Sequence, residues 1–174
     1  LHPVQYGVEH WLGQCRVSFH SAGHVLGSAQ IRLEVDGEVW VVSGDYKRDA
    51  DPSCDPFEPV PCDVLITEAT FGLPIYRWQA GADVAEDIRA WWQGDPQRPS
   101  LLFCYAFGKA QRLMAELNAI GVDDEVLLHG AVETVPRHYR AAAVPMTPSR
   151  PVSDLPRSDN LAGRLVLAPP SAHR

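Results

Sequence analysis

The sequence predicts an α/β protein, and two observations carry that expectation. An Asp-Gly turn joins two β-rich runs near the start, and from about Gly72 onward apolar residues alternate between helical spacing and short strand-like runs. Arg16-Val17-Ser18-Phe19 reads as a first strand. Gln30 to Val35 alternates polar and apolar residues before Asp36-Gly37, and Val39-Trp40-Val41-Val42 returns; both central residues of such a tight turn need positive φ, which Asp and Gly tolerate. Residues 49–62, rich in Pro and Asp without periodicity, predict a surface connection into a buried-type strand, Val64-Leu65-Ile66-Thr67, with Glu68 at its end.

Val84, Ile88, Trp91 and Trp92 then fall at helical spacing, which places both tryptophans on a buried stripe. Leu101 to Tyr105 reads as a buried strand. Ala110, Leu113, Met114 and Leu117 mark a second helix that Gly121 closes as a C-terminal glycine. Val126 to His129 is the next strand, residues 133–142 predict a third helix, and Leu165 to Ala168 is a last strand after a loop rich in Pro, Ser and Asp. Such alternation implies a parallel sheet covered by helices.

The 174 residues, 45% of them hydrophobic and 21% charged, suit an ordinary globular protein able to bury a core. No apolar run approaches the roughly 20 residues of a membrane span, so no membrane association and a cytoplasmic location are expected. Cys15, Cys54, Cys62 and Cys104 form no Cys-x-x-Cys pair, which points away from a zinc knuckle or a disulfide framework and towards reduced thiols. A net charge of −7 excludes a chain that coats nucleic acid by bulk electrostatics, although local basic groups can still meet phosphates.

His24 and Asp45 stand out chemically. Each lies beside a glycine at one end of the hairpin, where the backbone can turn sharply and aim both side chains at one point. Spacing alone serves a metal pair and a pair of ordinary turn residues equally well. Lys109 and Arg112, at the start of a helix after a strand, are candidate phosphate contacts, with a solvated basic face as the alternative. Lys47, Tyr76 and Trp78 are further candidate nucleic-acid contacts, the rings by stacking on bases. His20, four residues before His24, reads as a group that orients a ligand from behind.

The run Ala22-Gly23-His24-Val25-Leu26-Gly27-Ser28-Ala29, then Ser43-Gly44-Asp45-Tyr46, then Leu65-Ile66-Thr67-Glu68-Ala69-Thr70-Phe71-Gly72 resembles, in order and spacing, three motifs of the metallo-β-lactamase-fold nucleases that carry a β-CASP domain. Tyr105 to Leu113 resembles the strand-to-helix segment opening the inserted domain. Phe71 to Trp78 and His129-Gly130-Ala131 resemble the bacterial ligase-associated DNA exonucleases.

The resemblance implies part of an αββα sandwich with an inserted β-CASP α/β domain whose parallel sheet is flanked by helices. Residues 1–75 would belong to the first domain, 76–168 to the β-CASP-like domain, and 169–174 to a truncated return. It implies that His24 ligates zinc, that Asp45 bridges two Zn²⁺ ions with Mn²⁺ as an alternative metal, and that Glu68 joins Asp45 as a catalytic residue, against a bland role for Glu68 as a strand-end carboxylate.

The implied activity is hydrolysis of DNA, single-stranded or at a duplex end, by an exonuclease working with an ATP-dependent DNA ligase in repair. An RNA 3′-end processing nuclease of the same fold is the alternative. A non-catalytic module binding nucleic acid or protein is a reading of a different class. The family's HxHxDH block and its further histidines match nothing among His2, His10, His20, His24, His129, His138 and His173. The chain is therefore expected to be an interior piece of a longer enzyme, inactive by itself.

Overall fold

The computed structural model describes residues 2–173, so Leu1 and Arg174, at the two outer ends of the predicted segments, lie outside the described residues. Two compact units follow each other along the chain, one running to Arg77 and the other starting at Trp78. The first is a five-stranded sheet in the order β1(His10–Leu12), β2(Cys15–Ser21), β3(Ala29–Val35), β4(Glu38–Val42) and β5(Val64–Ile66). Its first four strands are antiparallel neighbours, and Asp36 and Gly37 turn the β3–β4 hairpin with φ of 52° and 84°. β5 instead runs parallel to β4, with Trp40 beside Val64 and Val42 beside Ile66. A parallel neighbour needs a crossover, and residues 49–62 supply it.

The second unit holds a four-stranded sheet in the order β6(Ser100–Phe103), β9(Leu165–Ala168), β7(Val126–Leu128), β8(Ser149–Pro151), every pairing parallel. α1(Gly81–Gln93), α2(Lys109–Ala119), α3(Gly130–Glu133) and α4(Pro136–Ala141) connect these strands. Met114, Leu117, Leu127, Leu165, Leu167 and Tyr139 form its core, and β7 and β9 are buried along their whole length, as central parallel strands must be. Thr147 is fully buried and stays satisfied: its hydroxyl donates to Val122 O at 2.9 Å and its amide to Met114 O at 3.1 Å.

Several expectations need correction. Val64–Ile66 is not a buried strand: it is an edge strand with Leu65 56% and Ile66 49% exposed, because β4 covers only one of its sides. The run from Leu101 is strand only to Phe103 and lies at an edge too, with Leu101 48% and Phe103 40% exposed, so helices do not cover the sheet completely. Residues 133–142 form no single helix, because Pro136 cannot donate to the preceding turn and starts α4 afresh after α3 ends at Glu133. β1 and β8, three residues each, lacked any readable alternation. Gly121 does close α2, with φ 78°.

The tryptophan pair divides. Trp92 is 4% exposed and its Nε1 donates to Gly163 O at 2.9 Å, whereas Trp91 is 52% exposed. Adjacent positions lie about 100° apart on a helix, so one stripe cannot bury both. Trp92→Ala should cost about 3–5 kcal/mol in urea unfolding, and Trp91→Ala less than about 1 kcal/mol.

Candidate metal centre

Three loops leave the first sheet at one edge. β4 and β5 are parallel, so both end there, and the β2–β3 turn lies at the same level because Ile31 pairs with Phe19 on one side and Val42 on the other. The β2–β3 turn is closed by Ala22 N donating to Ser28 O at 3.0 Å, and Ser28 Oγ accepts from the amides of His24 at 3.2 Å and Val25 at 3.1 Å. Those bonds fix the backbone that carries His24. On the neighbouring loops, Ser43 N donates to Ile66 O at 3.0 Å and Ser43 Oγ to Thr67 Oγ1 at 3.2 Å, tying the segment before Asp45 to the one before Glu68.

The outcome is a meeting of His24 and Asp45. Nε2 of His24 lies 3.8 Å from Oδ2 of Asp45, with the side chains 43% and 75% exposed. Glu68 follows on the same edge. Its carboxylate accepts the amide of Thr70, and that bond together with the Thr70 hydroxyl and the nearby His24 holds it below the usual carboxylate range. A tetrahedral zinc with nitrogen and oxygen donors at about 2.0–2.2 Å sets them roughly 3.3 Å apart, so His24 and Asp45 fit as two of its ligands after a small closing movement. Among the described residues no group of three or more His, Cys, Asp or Glu is close enough to hold a metal ion. The donor chemistry fits zinc, and the donor number is that of half a site.

Behind this edge the packing is tight. Gly23 has φ 66°, and a Cβ there would stand 2.4 Å from Lys47 O and 2.8 Å from Phe57 N. Lys47 N donates to Ala22 O at 2.9 Å and Glu58 N to Ser21 O at 3.1 Å. Gln30, 2% exposed, donates through Nε2 to both Ser21 O and Glu58 O. His20 spends both ring nitrogens in this layer, Nε2 on Ser18 Oγ at 2.9 Å and Nδ1 on Glu58 Oε1 at 2.8 Å. Sequence reasoning missed Glu58, Gln30 and Asp51. An Asp-x-Ser turn at Asp51 was the one readable signal among them.

The candidate nucleic-acid contacts separate. Lys47 is 18% exposed and pairs with Asp51 at 3.1 Å. Tyr76 packs edge-on against Phe71 at 5.1 Å, and Trp78 is 69% exposed. In the second unit Lys109 sits over the Tyr105 ring, 5.2 Å from its centroid, while Arg112 pairs with Glu116 at 3.5 Å. The start of α2 offers little to an anion, since Lys109 N already donates to Phe107 O, Ala110 N to Tyr105 O and Gly108 N to Gln111 Oε1.

No protein-family profile matches the chain. It is similar to a protein named probable DNA ligase from Opitutus terrae, 32% identical over 177 aligned positions that cover 98% of this chain and 17% of that protein. It is also similar to endoribonuclease ysh1 of Aspergillus fumigatus, 29% identical over 146 positions covering 80% of this chain and 16% of the relative. The chain thus spans less than a fifth of the length of either. A crystal structure of a protein of unknown function from Enterococcus faecalis superposes with a TM-score of 0.60 at 10% identity, over 97% of this chain and 44% of that one, which speaks for the fold alone.

Two outcomes test this packing. Gly23→Ala should destabilise the first unit by about 2–4 kcal/mol in urea unfolding, because it adds backbone clash to an unfavourable φ. Asp51 is the second. Burial pushes its carboxyl up, but the hydroxyl and amide of Ser53 and the Lys47 ammonium outweigh that and leave it below its ordinary value. The folded state therefore binds its proton less readily than the unfolded chain, and the stabilisation is complete above the unfolded value of about 3.9 and lost as pH falls through the lower folded value. Asp51→Asn should be less stable by about 2 kcal/mol at neutral pH, with the gap to wild type closing below about pH 4 in urea titrations.

Proposed function

The chain belongs to the β-CASP metallo-β-lactamase family of nucleases, and from that membership we propose that it forms part of a zinc-dependent phosphodiesterase that hydrolyses DNA as an exonuclease. The observation that carries this reading is the convergence of His24 and Asp45 to 3.8 Å on the edge that also presents Glu68. In this reading the unit up to Arg77 contributes part of the metallo-β-lactamase domain, the unit from Trp78 contributes β-CASP-like structure, and the last few residues begin the return.

His24 through Nε2 and Asp45 through its carboxylate would be the residues of this chain that hold zinc. The metals, when bound, supply a hydroxide near neutral pH and offset the charge of the phosphate. Mn²⁺ suits the same oxygen and imidazole donors. Glu68, whose carboxyl Thr70 holds below its usual range, would orient a proton donor for the leaving oxygen. Two ligands are too few for tight binding, so a working centre would need further donors besides His24 and Asp45.

Similarity across nearly the whole chain to a protein named as a DNA ligase supports DNA as substrate, and association with an ATP-dependent ligase in repair. The endoribonuclease relative supports the second reading, RNA 3′-end processing by the same centre. A cysteine set without a disulfide framework suits the reducing cytoplasm, and among the described residues no helix is long and apolar enough to cross a membrane.

The full-length protein carrying this sequence, supplied with Zn²⁺ or Mn²⁺, should shorten end-labelled single-stranded DNA progressively while leaving RNA intact. Asp45→Ala should lower turnover by more than about 100-fold, beyond the loss usual for groups that only orient a ligand. Preferential internal cleavage of RNA would select the second reading, and unchanged turnover in Asp45→Ala would reject the metal role.

A further inference from the structure

The parallel sheet of the second unit ends in side chains that the metal centre does not use. β6 and β7 flank β9, with Phe103 beside Ala168 and Leu128 beside Leu167. Just beyond, Cys104 N donates to Ala168 O and His129 N to Leu167 O, both at 2.9 Å. The loops leaving β6 and β7 therefore stand on either side of the carboxyl end of β9, the edge of an open parallel sheet where ligands gather.

The β6 loop presents two rings and a cation there. Tyr105 is 62% and Phe107 59% exposed, and Lys109 holds its ammonium over the Tyr105 ring. On the β7 loop, His129 accepts the amide of Ala131 at Nδ1, 3.2 Å away, which leaves the ring proton on Nε2 as a donor. Acids gather at the amino end of the strands, most of the neighbouring arginines with them. Asp95, Asp123, Asp124 and Glu125 precede β6 and β7 at the amino end, where Arg98 pairs with Asp95 and Arg150 and Arg164 with Glu125, whereas Lys109 follows β6 at the carboxyl end and Glu133 closes α3 after β7.

The recognition chemistry on offer is specific in kind. The first amides of α2 are already bonded inside the loop, so a phosphate is not held by the helix end. What remains is π surface beside positive charge, which suits unpaired nucleotides: bases stack on rings while the backbone lies against a cation. A paired duplex keeps its base faces covered and gains little from such rings. We propose that Tyr105, Phe107 and Lys109, with His129 across β9, form a stacking platform that takes the unpaired nucleotides of a nucleic-acid strand. The proposal rests on the nuclease reading for its substrate class and extends it by naming the side chains of this unit that hold an unpaired strand.

The test uses the full-length protein in EDTA, so that no hydrolysis intervenes, titrated by fluorescence anisotropy with labelled oligothymidylate and with a blunt duplex. Tyr105→Ala and Phe107→Ala should each weaken oligothymidylate binding by about 10-fold, Tyr105→Trp should restore it, and duplex binding should change less than about twofold. Lys109→Gln should reduce the slope of log affinity against log salt by about 0.7. Both rings are more than half exposed, so these variants keep the core, which melting curves verify.

Wild-type affinity in the double alanine variant overturns the platform, as does a wild-type protein that does not bind the oligonucleotide. Loss of a dimer in the double variant with oligonucleotide affinity intact assigns the rings to a protein contact and overturns it too. Zinc-supported hydrolysis of bis-p-nitrophenyl phosphate by the same preparations reports the metal centre separately. Hydrolysis with ring-independent binding discards the platform alone, and ring-dependent binding without hydrolysis discards the nuclease reading alone.

Discussion

The metal edge depends on the closeness of three backbones at Gly23. Segment 22–28 is well separated in sequence from 44–48 and 53–58, yet Gly23 leaves no room for a single Cβ between itself and Lys47 O or Phe57 N. The direct His24–Asp45 contact cannot hold this arrangement, since an exposed pair 3.8 Å apart contributes little in water. Buried polar bonding does the holding. Gln30 Nε2 serves Ser21 O and Glu58 O together, Ser21 Oγ donates to Asp55 O at 3.1 Å, and loss of any of these would strand a buried polar group.

A second constraint is topological. An antiparallel β5 would have carried Glu68 to the far end of β4, one strand length from Asp45. The parallel β4–β5 pair, closed by Ser43 and Thr67, ends both strands together and sets the two acids on one edge. The crossover that permits this pairing is also the segment that packs behind Gly23. Residues 49–62 look like a mere connection, but Ser53 in their midst is 2% exposed and bonds Asp51 through both amide and hydroxyl. The connection is part of the site's scaffold.

What was legible in the sequence divides along the same physical line. Asp36-Gly37 announced its hairpin because the turn chemistry is local, and Gly121 announced the end of α2 for the same reason. Ala110, Met114 and Leu117 fell on the buried side of α2 as their spacing implied. Edge or centre, by contrast, is decided by which strand lies alongside: Leu101 and Leu165 sit in similar apolar runs, yet Leu101 is 48% exposed and Leu165 fully buried, because β9 inserts between β6 and β7 after the rest of the sheet has been laid down in sequence. At the edge where His24 and Asp45 meet, the glycines beside them marked both turns, whereas Gln30 acts there by donating to the backbone carbonyls of Ser21 and Glu58, which leaves no local pattern to read.

A net charge of −7 looks hostile to a polyanion, and the placement of charge shows why it need not be. Many acids are already committed to cations of the chain, as in Glu34 with Arg16 and Arg32, Asp51 with Lys47, and Glu125 with Arg150 and Arg164. Asp45 and Glu68 differ in having only the His24 ring and the Thr70 amide as company, so in the proposed reading their edge would accept a phosphodiester only with divalent cations beside it. Tyr105, Phe107 and Lys109 carry no such penalty, since stacking needs no net charge and Lys109 lies on the side of its sheet away from Asp123, Asp124 and Glu125. In the proposed reading, affinity for a strand and reactivity towards its phosphates are therefore separable: the first would rest on rings and one ammonium, the second on carboxylates that need a metal beside them.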